Sequence, residues 1–227
     1  MTRRHRRGRA DGTLVTTLAL AAALALAAAP ARGAASEAAP FLAAFDEFQR
    51  GLAGDRAANE RANAQFQRLV DAEPTNPLYL AYLGSTFTLL GRDAWAPWTK
   101  MRETERGLAL IDKALALLDA GHDRQAVRGV PVSMEVRLDA AATFLAVPGF
   151  MHRIEPARAV VADALASPAF AATPGPVKAR LLLQAAVLAR KDRKPEEESA
   201  ALERALAAGP DDATAGAIRA RLMELGR

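Results

Sequence analysis

The sequence predicts an all-α chain folded as a solenoid of antiparallel helix pairs. Three observations carry this. Of the 227 residues 51% are hydrophobic but only 5% aromatic, with alanine and leucine dominant; this suits close helix packing and offers little β-branched material for sheets. No stretch alternates apolar and polar residues with period two, so no strand is expected. Proline and glycine punctuate the chain at regular intervals, leaving nine stretches with helical periodicity joined by short turns.

The stretches follow in order. Residues 37–52 place Phe41, Leu42, Phe45 and Phe48 on one face, and the Gly-Asp pair at 54–55 breaks the helix. Residues 56–72 carry Ala62, Phe66, Leu69 and Val70, and "EPTNP" stops them because a residue preceding proline leaves the α region. A helix over 78–90 is expected to end at Gly91. After an irregular "RDAWAPWTK", residues 101–118 form a long helix. Residues 124–146 are mostly helical, with Pro131 a second place to start. Helices follow over 151–166, 177–190, 195–208 and 213–225, with "TPGP" as a strong break before the last three and residues 163–172 fraying through Pro168.

Gly84 sits mid-helix beside Leu80, Leu83, Phe87 and Leu90. There it weakens the helix by about 1 kcal/mol relative to alanine. The compensation expected is a close helix crossing, with another small residue on the partner helix. Leucine at 84 should overpack that crossing, whereas alanine should be tolerated.

In two stretches the sequence resembles the tetratricopeptide repeat family. Leu80 stands for the large leading residue of that repeat's first helix, Leu83-Gly84 for its Leu-Gly pair, Phe87 for its tyrosine and Gly91 for its turn glycine. Ala62, Phe66 and Pro74 match the second helix of a preceding repeat. A further match runs over 179–212, through Leu182, Ala185, Ala186, Leu202, Ala205 and Pro210. The resemblance implies a right-handed solenoid over 37–227, of roughly four hairpins plus a C-terminal capping helix. It also implies a concave groove for a protein or peptide partner. Carried over by phase, Leu78, Ala81, Ser85, Thr88 and Leu89 line one part of the groove, and Arg180, Leu183, Val187 and Arg190 another. The lysine and asparagine clamp by which one subtype grips a peptide carboxylate is absent: Ala81, Ser85, Leu183 and Val187 occupy its places.

The formal charge is +4, but it does not describe the folded part. Residues 1–33 hold Arg3, Arg4, Arg6, Arg7, Arg9 and Arg32 against one acid, Asp11, so the remainder is close to neutral. A nucleic-acid partner, which needs a basic stripe on the folded domain, is not expected. The arginine-rich front, the apolar run from Leu14 to Ala29 and the small residues of "APARGAAS" read as a signal peptide cleaved near Gly33. Export to the periplasm or the cell exterior follows. A retained leader would instead make an inner-membrane anchor, the one route to a membrane partner.

With no cysteine there are no disulfides, no thiolate nucleophile and no thiolate zinc site. His5, His122 and His152 show no metal-ligand spacing, and no phosphate loop or serine elbow is present. Neither metal nor cofactor is expected. Trp95 and Trp98 are a candidate aromatic lip beside the groove; the plainer expectation is that they plug the end of the stack. Glu135, Arg137 and Asp139 read as a solvated or paired face. The leading functional expectation is a non-enzymatic interaction module of the cell envelope. A helical enzyme or small-ligand carrier built on residues 120–172, using Glu135, Arg137 and His152, is the alternative, and a membrane-tethered assembly factor is the third.

Overall fold

The computed structural model describes residues 30–226. Ten helices succeed one another among these residues: α1 (Pro30–Leu52), α2 (Arg56–Ala72), α3 (Pro77–Asp93), α4 (Pro97–Ala116), α5 (Val132–Ala146), α6 (Ile154–Ala166), α7 (Ala169–Ala172), α8 (Gly175–Lys191), α9 (Pro195–Ala207) and α10 (Asp212–Glu224). The expected leader lies outside the described residues, except for residues 30–33, which begin α1. No described helix is long and apolar enough to cross a membrane.

Local chemistry explains the boundaries. Asp55 caps α2 by accepting from Ala58 N at 3.0 Å, and Asn76 caps α3 by accepting from Leu78 N at 3.0 Å, with Pro77 preset for the first turn. Asp211 caps α10 through Thr214 N at 2.8 Å. Several boundaries differ from expectation, among them α5, which starts only after Pro131, and the two around the α3–α4 turn. Gly91 does not end α3, and α4 starts at Pro97, so Trp98 belongs to its first turn. The strand-free expectation is also corrected. Ala126–Val127 (β1) and Val130–Pro131 (β2) form a minimal antiparallel hairpin. Its two turn residues, Arg128 (φ 53) and Gly129 (φ 75), are both left-handed, which gives the primed turn that matches strand twist.

From Ala38 onward the chain forms one compact unit. Sequence neighbours pack as pairs: α3 on α4, α5 on α6, and α8 on α9, with α10 against α9. The pairs are joined through α2 on α3, α3 on α5, and α5 and α6 on α8. Most residues of α3 and α5 are buried, polar ones included, so these helices have neighbours on most of their sides.

The α3–α4 crossing is a glycine contact. A Cβ on Gly84 would lie 2.6 Å from the Gly107 carbonyl oxygen and 2.7 Å from Ile111 Cγ1. Gly91, two turns further along α3, closes on Thr104, and a Cβ there would lie 2.9 Å from the Lys100 carbonyl oxygen. The small partner expected for Gly84 is therefore Gly107. The expected tolerance of alanine at 84 is corrected, because the obstacle is backbone and cannot swing aside. Gly91 serves the same contact instead of a turn.

Beyond the crossing, an aromatic cluster joins α1, α2 and α3. Tyr82 stacks on Phe66 at 5.4 Å between ring centroids, and meets the edge of Phe48 at 5.2 Å and of Phe41 at 5.4 Å. Fully burying each such ring contributes on the order of 1.5–3 kcal/mol.

Candidate functional site

Between α1, α3, α4 and α5 lies a cavity of about 660 Å³, open to solvent on one side. One face of α5 supplies its floor: Glu135, Leu138, Asp139, Ala142, Thr143 and Ala146 recur at three- and four-residue spacing. α3 contributes Tyr82, Ser85, Thr88 and Leu89; Leu52 and Phe48 come from α1, Met101 from α4, and Phe150 from the turn after α5. The walls are thus largely apolar, and the polar groups converge on the α3–α5 seam.

That seam is a connected network. Tyr82 Oη donates a short hydrogen bond to Glu135 Oε1, and Arg128 Nη2 donates to the same oxygen at 2.6 Å. The Arg128 guanidinium also lies 4.0 Å over the Phe45 ring. The primed hairpin turn holds Arg128 there. Ser85 Oγ donates to Asp139 Oδ2 at 2.7 Å and lies 2.8 Å from Thr143 Oγ1. Glu135 is 2% exposed and Asp139 8%. Glu135 Oε2 is buried without a hydrogen-bond partner. Such an atom loses its water and gains nothing in return.

Burial pushes the Asp139 carboxyl up to about 8, with the nearby Glu135 adding to it and the Ser85 hydrogen bond and Arg180 opposing it. Burial, followed by the Glu135 and Asp139 charges, also raises the Tyr82 hydroxyl well above its usual range, so it stays a donor.

Of the residues singled out for a groove, the cavity gathers Ser85, Thr88, Leu89 and Arg180. Leu78 and Ala81 are buried among core side chains instead, on the part of α3 turned away from the cavity. Leu183 and Val187 are half-buried against neighbouring core clusters, and Arg190 is exposed away from the cavity wall. Trp95 and Trp98 are 92% and 71% exposed, so neither plugs the stack. They stand on the loop and first turn that also bring Pro97 and Met101 to the cavity, but they do not line it.

The middle-region trio is not brought together. Glu135 is on the cavity wall, whereas Arg137 Nη1 lies 3.8 Å from Asp123 and His152 is exposed, closing the 3-10 turn Gly149–Met151. Of the two expectations for this face, solvated or paired, the first is corrected, since Glu135 and Asp139 are buried, and the second holds for Glu135, which pairs with Arg128. Among the described residues no group of three or more histidine and acidic side chains is placed to hold a metal ion.

Sequence reasoning missed Tyr82, Arg128, Thr143 and the inward setting of Asp139. A usable signal was present. Glu135, Asp139 and Thr143 recur every four residues within a segment whose other sides are apolar. A helix that is apolar on its remaining sides is buried, and its polar stripe must then face an interior space. No protein-family model, curated protein or solved structure matches this chain.

Proposed function

We propose that the protein is a non-enzymatic binding protein whose cavity takes a small, elongated, mostly apolar molecule, with the polar α3–α5 seam fixing one end of it. The observation that carries this reading is the cavity of about 660 Å³ itself, apolar over most of its lining, with Ser85, Asp139 and Thr143 converging on one part of it. Small-molecule sites commonly enclose about 300–1,000 Å³, mostly apolar with a few convergent polar groups. A peptide laid along a long groove is supported less, since Leu78 and Ala81 are core residues. The scaffold we infer is a right-handed, tetratricopeptide-like stack. The sequential pairing of helices and the row of contacts from α3 through α5 to α8 support it. The leader-like residues 1–33 support action outside the cytoplasm, and the mass of the mature protein from an exported fraction tests that.

The cavity itself is tested with a neutral apolar dye, diphenylhexatriene, whose fluorescence rises on leaving water. Wild type should take up the dye at one site. Ala142→Trp fills the cavity from a half-buried wall position and should weaken uptake at least tenfold. Ala220→Trp, on exposed α10, should leave uptake unchanged. Equal uptake by all three proteins refutes the assignment.

A further inference from the structure

Most of the large apolar side chains exposed among the described residues gather at the mouth of one cavity. Leu52, Met101 and Phe150 line it and are 44%, 38% and 62% exposed, and the two exposed tryptophans flank Pro97, which also lines it. Trp98 and Met101 stand three residues apart on α4, hence on one face. Met101 and Phe150 also share a second, smaller hollow, so the apolar strip runs on from α4 to the turn after α5. Each aromatic ring takes about 150–250 Å² out of water when it is covered. Three exposed rings on one rim therefore reach the few hundred Å² at which an apolar patch marks an interaction site.

The polar part of this rim has one sign. The exposed charged residues of the cavity lining are Arg92, Lys100 and Arg180, whereas its acids, Glu135 and Asp139, are buried. Arg92 is paired with Asp93, but Lys100 Nζ donates to the Arg92 carbonyl oxygen at 3.1 Å and not to a carboxylate. Just outside the mouth Glu103 is paired with Arg102, and Glu105 shares the smaller hollow with Arg153.

We propose that this rim docks on an anionic lipid bilayer, with Trp95, Trp98 and Phe150 at the headgroup level and the cavity mouth opening onto the lipid. The rim goes beyond the cavity reading and stands without it. Tryptophan combines an apolar body with one N–H, and such side chains collect at membrane–water interfaces. Lys100 and Arg180 add attraction to lipid phosphates. A protein partner is favoured less. Interface hot spots sit in well-packed surroundings, whereas Trp95 is 92% exposed on a loop and its own chain gives it almost no support. A fluid lipid surface needs no shape match.

Trp95 and Trp98 are the chain's only tryptophans, so its own fluorescence reports the rim. The arginine-rich leader can adsorb to anionic lipid by itself, so the readout is the tryptophan environment and not sedimentation. The full chain is titrated with vesicles of phosphatidylcholine containing one third phosphatidylglycerol. Emission should move to the blue, and bromine atoms placed high on the acyl chains should quench most of it. Phe150→Asp should raise the lipid needed for half of the shift about tenfold, and Lys100→Gln with Arg180→Gln about fivefold. Met223→Asp, at an exposed apolar position on α10, should leave it unchanged.

Unshifted emission at high lipid overturns the proposal, whether or not the protein sediments with the vesicles. An unaffected Phe150→Asp overturns insertion of the rim, and an unaffected double variant overturns the choice of anionic lipid. Emission that is already blue without lipid and reddens on dilution places a second copy on the rim and also overturns it. Uptake of diphenylhexatriene without vesicles keeps the two readings apart. Dye uptake with unshifted emission ends the docking proposal and leaves the cavity; shifted emission with no uptake does the reverse.

Discussion

Helix α3 meets α4 on one side and α5 on another, and the two seams are built on opposite principles. Against α4 the side chains are removed: Gly84, Gly91 and Gly107 let backbone touch backbone, leaving no room for anything else. Against α5 polar side chains are kept, and a cavity of about 660 Å³ stays open beside them. The first seam is optimised for contact. The second retains buried carboxyls and an unsatisfied oxygen, features that destabilise a fold unless something else uses them. One helix thus carries both the contact that holds the stack together and the groups that give it a site.

Changing the glycine seam should have the largest effect. Gly84→Leu is expected to leave no folded protein. Gly84→Ala and Gly107→Ala should each lose about 1–3 kcal/mol in denaturant unfolding, because the new methyl meets a carbonyl oxygen. A loss below about 0.5 kcal/mol for both alanine variants would show that the two helices separate easily.

On the other seam, Arg128→Ala removes the cation bonded to a buried carboxylate. About 2–3 kcal/mol should be lost, toward the low end for such pairs because Arg128 is about a third exposed. Unchanged stability would mean that water replaces the guanidinium without penalty.

Asp139→Asn sharpens the contrast further. The unfolded carboxyl ionises near pH 4, whereas in the fold it remains protonated up to about 8. Folding therefore retains a proton that the unfolded chain releases between those values. Wild type should be most stable relative to Asp139→Asn below about pH 4 and should lose ground up to about pH 8, by at most about 1.4 kcal/mol per pH unit. Unfolding curves at several pH values for both proteins measure this, and parallel pH dependences would contradict it.

The smallest effect should come from Trp95→Ala and Trp98→Ala. Both side chains are exposed, so stability should stay within about 0.5 kcal/mol of wild type. A larger loss in thermal or denaturant unfolding would return them to the fold.

The two seams are also unequally legible in the sequence. Gly84 announces the close crossing because a glycine amid leucines gives up helix propensity and apolar surface that only a tight contact returns. Proline and asparagine at 76–77 fix the start of α3. Gly91 is ambiguous, because glycine ends helices as well as permitting contact, and spacing along one helix does not say where α4 lies. The polar seam is visible but inverted. Glu135 and Asp139 on a helix ordinarily mean solvent, and only the neighbours packed around α5 turn that face inward. Arg128 is harder still. It reaches Glu135 from a two-residue hairpin turn, and strands of two residues leave no alternating pattern to detect. Phase along α3 brings Ser85, Thr88 and Leu89 to the cavity, whereas Leu78 and Ala81 fall on the part of α3 covered by core side chains.

The central claim, that the space beside the α3–α5 seam is a binding cavity, can be tested at a single position because the chain has no cysteine. Ala142→Cys puts one thiol on the cavity wall, and Ala220→Cys puts one on the exposed surface of α10. The rate of modification by a small maleimide is measured for each, with and without saturating diphenylhexatriene. The account predicts at least tenfold protection of the thiol at 142 by a bound guest and none at 220. Equal rates at 142 with and without a guest that demonstrably binds would contradict it.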